Sequence, residues 1–264
     1  MTPSPVHAYA EEHNIPVLTA GPNDPEVLEV LATVDCVAVV AYGAMIRPPA
    51  LSTPRFGWIN LHFSLLPSWR GAAPVQHAIM AGDDETGVSV FQIDQGLDTG
   101  PVFNSLPHPI APDDTAGDVL ERLAHAGASV LVETLTGIES GSAKARPQQG
   151  PVSLAPTLAT ADGRIDWSQP ASQVRNHIRG ITPVPGAWTQ DEQGGRYKVG
   201  AVSPSDHPDL PPGQVEITKT DVVVGTGSHP LALQRMAPPG RPWMDAAAWA
   251  RGLQDKAIRF GGTQ

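Results

Sequence analysis

The sequence predicts two domains: an α/β domain on a mostly parallel sheet, followed by a small β-barrel. Three observations predict this. From Pro16 to Gly141 short apolar runs alternate with helix-like stretches, the pattern of strands joined by helical crossovers. From Ala145 to Pro156 the chain holds Pro147, Gly150, Pro151 and Pro156 among polar residues, a connecting texture. Beyond Pro156 come short alternating runs separated by Pro, Gly and Asp clusters, as in small all-β domains. The expected division is residues 1–144, a linker at 145–159, and a second domain at 160–264.

Taken in order, Cys36 to Tyr42 is nearly all apolar between Asp35 and Gly43, which predicts a strand buried on both faces. Trp58 to His62 and Gly87 to Ile93 are the next strands. Between them Pro74 suits the first turn of a helix through Ala81, stopped by Gly82 and Asp83, making a short βαβ crossover. Thr115 and Asp118 have capping-box spacing, and Val119, Leu120, Leu123, Val130, Leu131, Leu135 and Ile138 mark one apolar face of a long helix ending at Gly141. In the second half Gln214 to Thr218, Val222 to Gly225 and Leu231 to Leu233 read as strands. Gln173 to Gly180 and Asp245 to Leu253 read as helices.

With 41% hydrophobic residues in 264, the chain can bury a sizeable core. No apolar run reaches the roughly 18 residues of a membrane span, and no signal peptide opens the chain, so a cytoplasmic protein is expected. The lone Cys36 sits in an apolar run and reads as a buried inert thiol. The formal charge of −10 has the wrong sign for a protein that binds chiefly by neutralising phosphates. The nine histidines are dispersed, without the spacing of a zinc site, so no metal is expected.

Asn60 and His62 stand two apart at the end of a strand, so both side chains leave one face. An amide and an imidazole N–H aimed together suit the oxyanion formed when an amine attacks a carbonyl. The plainer reading is that both satisfy nearby backbone groups. Asp94-Gln95-Gly96-Leu97-Asp98-Thr99-Gly100 follows a predicted strand, and its glycines permit a tight loop that could return Asp98 to His62. A carboxylate there would orient the imidazole, favour its protonated form and accept the amine proton. Taken alone, such Asp and Gly residues also serve as turn formers.

The tract Asn60-Leu61-His62-Phe63-Ser64-Leu65-Leu66-Pro67-Ser68-Trp69-Arg70-Gly71, with the later Asp-x-Gly-x-Asp-Thr-Gly, resembles the folate-dependent formyltransferases. Phe63 stands where many relatives carry Gly or Pro. The resemblance implies that Asn60, His62 and Asp98 are catalytic, that Ser64, Leu65, Leu66 and Pro67 belong to a folate-binding loop, and that Gln92, Ile93 and Asp94 line the pterin side. It also implies a Rossmann-like sheet and 10-formyltetrahydrofolate as formyl donor. Arg164-Ile165-Asp166-Trp167-Ser168, Ile178-Arg179 and Pro183-Val184-Pro185-Gly186-Ala187-Trp188 resemble the opening of the C-terminal domain of the methionyl-tRNA formyltransferases. That implies an OB-like barrel and methionyl initiator tRNA as acceptor. Without the resemblance, Trp167 and Trp188 would be core residues. Arg164, Arg175, Arg179, Arg196 and Lys198 could form a basic strip, with scattered surface charge as the alternative.

One departure stands at the start, where the family's sheet begins with a strand, a Gly-Thr-Pro loop, a helix, a second strand and a basic loop before a segment resembling Pro3 to Val6. The expectation is an N-terminally incomplete domain, from a start codon assigned too late or a shortened chain. The expected function is formylation of the methionyl α-amine on initiator tRNA by a monomer. The alternatives are formyl transfer to a nucleotide-linked amino sugar, hydrolysis of 10-formyltetrahydrofolate, or an inactive chain whose barrel still touches RNA.

Overall fold

The structure is a computed structural model, and it describes residues 3–218, 220–252 and 258–261. Two short helices come first, α1 (Pro5–Glu12) and α2 (Pro25–Leu31), each with proline in its first turn. Strand β1 (Val37–Val40) lies parallel to β2 (Trp58–His62). The two-residue strand β3 (Arg70–Gly71) and helix α3 (Pro74–Ala81) then lead to β4 (Glu85–Gln92) and β5 (Val102–Pro109). Helix α4 (Ala116–Glu139) follows, opened by Thr115 and Asp118 in a complete capping box. The sheet order is β1-β2-β4-β5.

That sheet is Rossmann-like in its layers but mixed in direction, because β4 runs antiparallel to both β2 and β5. The mostly parallel sheet and the βαβ crossover read from the sequence are corrected here. An eight-residue helix spans only about 12 Å, and the chain after α3 re-enters beyond His62, which pairs with Ser89, while Ile59 pairs with Gln92. Strand β4 therefore runs back along β2. β1 is an edge strand, with Val39 buried and Val40 51% exposed, rather than one covered on both faces. Cys36 beside it is half-buried, and burial with the neighbouring Asp35 pushes its thiol pKa up, which keeps it protonated and unreactive.

The alternation of β2 divides its side chains between two cores. Ile59 and Leu61 pack under α3 and α4 with Val75, Ile79, Val88, Val90, Val119 and Leu123. Trp58 turns the other way, into a smaller cluster with Leu31, Val39, Ile46 and Ala50, and its indole donates to the Ala50 carbonyl at 2.9 Å. Each fully buried Val, Leu or Ile contributes about 1.5 to 3 kcal/mol, so a one-residue slip of β2 is excluded. Asn60 and His62 consequently face the side of Trp58.

The outer strand β5 carries Pro107 and Pro109. The Ile110 N–H points inward to the Asp84 carbonyl, so residues of the opposite parity point outward. There the Ser105 N–H donates to Asn104 Oδ1 at 2.9 Å, and the two prolines have no N–H to offer.

The expected linker is held to the first domain. Arg146 and Val102 exchange backbone hydrogen bonds, and β6 (Leu154–Ala155) pairs in parallel with β3. Helix α5 (Ala171–Gly180) and strands β7 (Ala187–Gln190), β8 (Arg196–Val199), β9 (Val202–Pro204), β10 (Val215–Ile217), β11 (Val222–Val224), β12 (Leu231–Leu233), β13 (Arg235–Ala237) and β14 (Met244–Asp245) make the second domain. Two four-stranded antiparallel sheets, β10-β11-β12-β9 and β14-β13-β8-β7, close in barrel-like fashion on one core that includes Trp167, Ile178, Val222, Met236 and Phe260. The last helix, α6, covers Ala246–Arg251; Leu253, where the sequence reading ended it, lies outside the described residues. Trp167 is buried, whereas Trp188 is half-exposed beneath the Arg196 guanidinium, 4.2 Å from its ring centroid.

Helix α5 packs on α3 so closely that a Cβ on Gly180 would stand 2.7 Å from the Gln76 carbonyl oxygen. Arg175 donates to the Pro112 carbonyl at 2.7 Å and pairs with Asp113, and Arg179 donates to the carbonyls of Asp114 and Ala111 at 2.8 and 2.9 Å. These two arginines are committed to the joint between the domains and do not belong to a free basic strip. His177 lies in the same joint, its Nε2 buried without a hydrogen-bond partner among the described residues. Burial lowers its pKa, against the opposing pull of the Arg164 backbone and Asp162.

The native state therefore refuses a proton that the unfolded chain accepts near pH 6.5. Stability from the neutral imidazole is complete above that value and lost as pH falls toward the folded pKa. The thermal midpoint should drop between pH 7 and 5.5, and drop less in His177→Gln. Equal pH dependence in the two proteins would reject this assignment.

Candidate active site

Asn60 and His62 project from β2 into a cavity of about 460 Å3 lined also by Met45, Ile46, Phe91, Ile93 and Leu97. Across the sheet Asn60 pairs with Phe91, and His62 with Ser89, placing the Phe91 ring edge-on to the imidazole with centroids 6.3 Å apart. The Asn60 amide makes no hydrogen bond with the described residues, so its donors remain available to the cavity. That disfavours the plainer reading for Asn60.

His62 is 5% exposed. Its Nε2 lies 3.0 Å from the Trp69 carbonyl, which can only accept, so Nε2 carries the proton. The other ring nitrogen, Nδ1, stands 3.8 Å from Asp98 Oδ2. At this distance no hydrogen bond forms; the carboxylate stands beside the ring, ready to pair with it once it is protonated, and Nδ1 stays open to a substrate atom. Burial lowers the His62 pKa, while Asp98 and the Trp69 carbonyl pull it upward. Asp98 thus favours the protonated ring, as expected, but burial prevails and the resting imidazole is neutral near pH 7.

Two backbone residues hold this pair at positive φ without being glycine, Trp69 at 59° and Asp98 at 50°. Such conformations cost about 1 to 3 kcal/mol each and persist where the surroundings over-determine them. Asp98 Oδ2 accepts the Gly71 N–H at 2.8 Å. Gly71 has φ 130°, and a Cβ there would come within 2.4 Å of the Ala155 carbonyl oxygen. The Asp98 loop closes on Gly100, where a Cβ would stand 1.7 Å from the Gln92 carbonyl oxygen. Asp94 stabilises the turn by accepting from Gly96 N–H and Thr99 Oγ1 at 2.9 and 2.5 Å.

The structure brings Asn60, His62, Asp98, Ile93 and Asp94 to the cavity. The Gln92 side chain lies elsewhere: it points toward Gly57, 3.0 Å from where that residue's Cβ would be, because strand neighbours alternate faces. Ser64 is buried, donates its hydroxyl to the Ser68 carbonyl at 2.5 Å, and accepts at its own carbonyl from Ser89 Oγ. Leu65 packs over Gly87. Leu66 lines a separate open cavity of about 960 Å3 with Val102, Gly137 and Gln148, and the Leu66–Pro67 peptide is cis. Ser64 to Pro67 therefore frame the loop after β2 without lining the His62 cavity. The sequence reading missed the Ala41 to Ile46 wall of that cavity and the Trp69 carbonyl. The apolar run ending at Tyr42 was the available signal for the wall.

Among the described residues no three His, Cys, Asp or Glu side chains form a metal-binding group, and no helix is long and apolar enough to cross a membrane.

Comparison with known proteins gives two family matches, one described as formyl transferase over residues 2–135 and one as formyl transferase, C-terminal domain, over residues 157–254. The methionyl-tRNA formyltransferase of Arthrobacter sp. (strain FB24) is 54% identical over 255 residues, covering 96% of this chain and 83% of that protein. Two solved structures share the fold. HypX from Aquifex aeolicus with tetrahydrofolic acid has a TM-score of 0.67 at 18% identity, covering 88% of this chain and 41% of that one. An N-formyltransferase from Helicobacter canadensis with folinic acid and dTDP-3-aminofucose has a TM-score of 0.68 at 17% identity, covering 86% and 81%.

Proposed function

The chain belongs to the formyl transferase family, and from that premise we propose that it moves the formyl group of 10-formyltetrahydrofolate to the α-amine of methionyl initiator tRNA, for translation initiation. It is a one-carbon transferase, and the acceptor follows from relatives about half identical along nearly the whole chain. The observation that carries the chemistry is the convergence of a free Asn60 amide and the His62–Asp98 pair on one cavity.

In the proposed step the amine nitrogen attacks the formyl carbon, a C–N bond forms, and the carbonyl electron pair moves onto oxygen. Asn60 donates to that oxyanion. Neutral His62, whose Nδ1 faces Asp98, takes up the proton shed by the amine, and Asp98 stabilises the resulting imidazolium. The imidazolium N–H then supports the oxyanion alongside Asn60. On collapse the bond from carbon to the folate N10 breaks and the His62 imidazolium passes its proton to N10, so tetrahydrofolate leaves, the imidazole returns to neutral, and charge and atoms balance.

The folate ring system is assigned to the apolar end of the cavity, against Phe91, Ile93 and Leu97, with Asp94 on the pterin side. Ser64 to Pro67 keep the loop between Asn60 and Arg70 in place around it. The second domain supports the tRNA, and the enzyme acts in the cytoplasm as a monomer.

The test is formylation of purified methionyl initiator tRNA by this chain with 10-formyltetrahydrofolate as donor, a nucleotide-linked amino sugar as competing acceptor, and His62→Ala as control. Formylmethionyl-tRNA that disappears in the control is the expected result. Formate release without formylation, or preference for the sugar, would sink the assignment.

A further inference from the structure

Gln148 is not one of the residues that touch the His62 cavity, and it lies in the segment that the sequence marks as a linker. Its side chain nevertheless joins the two strained loops on either side of the His62–Asp98 pair. The amide nitrogen donates to the carbonyls of Asp98 and Gly100, both at 2.8 Å. The amide oxygen accepts from Arg70 Nε and Nη2 at 3.1 and 2.6 Å. All the donor and acceptor capacity of one amide is used. A flipped amide would set N–H against guanidinium and oxygen against carbonyl, so the orientation is fixed by its partners.

What lies on each side gives the contact its meaning. Arg70 sits between Trp69, whose carbonyl holds His62 Nε2, and Gly71, whose N–H holds Asp98 Oδ2. Asp98, the other end of the bridge, carries the carboxylate from a backbone at φ 50°. The same segment reinforces this grip: Ser153 accepts the Trp69 N–H at Oγ and the Arg70 N–H at its carbonyl, and Ala155 accepts the Ala73 N–H. A left-handed Asp relaxes unless something over-determines it, and the Gln148 amide is the side chain that grips its carbonyl.

We infer that Gln148 is a positioning residue for the formyl transfer, holding the Asp98 and Arg70 loops in the register that sets the Asp98–His62 distance. Only an amide can do this, because the site needs two donors toward carbonyls and an acceptor toward a guanidinium from one group. The inference rests on the roles proposed for His62 and Asp98. A displacement of about 1 Å at a reacting centre costs up to about a hundredfold in rate.

The experiment compares wild type with Gln148→Met, which keeps length and loses the amide, and Gln148→Glu, which keeps the acceptor for Arg70 and turns a carboxylate toward two carbonyls. Expected in both is a kcat lower by on the order of 10- to 100-fold, with KM for each substrate within about threefold of wild type. With Asp98 no longer held against the imidazole, the limb of the pH profile that follows His62 should move to lower pH. Circular dichroism and thermal melting check that each variant is folded.

Wild-type kcat and pH profile in folded Gln148→Met would overturn the inference. So would wild-type activity in Gln148→Glu, since pairing with Arg70 alone would then suffice, or loss confined to KM. Failure of both variants to fold would also overturn it, because the contact would then serve stability of the whole domain. His62→Ala and Asp98→Ala run beside them: if those two keep wild-type turnover, the reading of the site itself fails, independently of Gln148.

Discussion

Replacing His62 with alanine should lower turnover by about 10^2 to 10^4-fold while folate binding stays nearly unchanged. The range follows from the loss of a general acid–base group together with a donor to the oxyanion. Both contributions are made mainly in the transition state, so the loss belongs in kcat. His62 is 5% exposed and sits over β2, whose other face is anchored by Ile59 and Leu61, so the scaffold should outlast the truncation. Asp98→Ala should follow the same pattern, since its carboxylate acts through the imidazole 3.8 Å away. Single-turnover formylation with saturating donor, alongside equilibrium folate binding, separates the two quantities. A variant that keeps wild-type turnover would remove His62 from the mechanism.

The second large effect is expected at Gly71. Its φ of 130° is open to glycine alone, and a Cβ would press to 2.4 Å from the Ala155 carbonyl oxygen. Gly71→Ala therefore has to separate β3 from β6 or twist its own backbone, at a cost on the order of 2 to 4 kcal/mol. The N–H that moves is the one donated to Asp98, so turnover should fall with stability, by about a hundredfold. Chemical denaturation and formylation rate measured on one preparation would check this. A variant as stable as wild type, with an undisturbed rate, would mean that the loop has more room than its contacts indicate.

What could be read in advance follows from how local each signal is. Trp58 to His62 and Pro74 to Ala81 were legible to the residue, because alternation, an opening proline and a stopping glycine all lie within the segment. That Asn60 and His62 share a face follows from the same alternation. Strand β5 was not legible, since two prolines and polar neighbours erase the usual strand pattern. The direction of β4 depends on where the chain re-enters the sheet, which no periodicity records. The family resemblance groups Gln92 with Ile93 and Asp94, but neighbours along a strand face opposite sides, and the Gln92 side chain turns toward Gly57. The Ser64 hydroxyl is satisfied within its own loop, a fact of folded geometry rather than of residue type. Gln148 meets Asp98 and Arg70 across separations of 50 and 78 residues, too far for any short motif to carry.

The outer edge of β5 has a consequence for how copies of this chain meet. A strand from a second molecule joins a sheet most firmly where free amide hydrogens wait for its carbonyls and free carbonyls for its amides. Along this rim Ser105 has already given its hydrogen to Asn104, and Pro107 and Pro109 have none. A strand arriving along this rim therefore finds acceptors but no donors among these residues and forfeits about half of its ladder hydrogen bonds, so polymerisation by strand addition is disfavoured on that side.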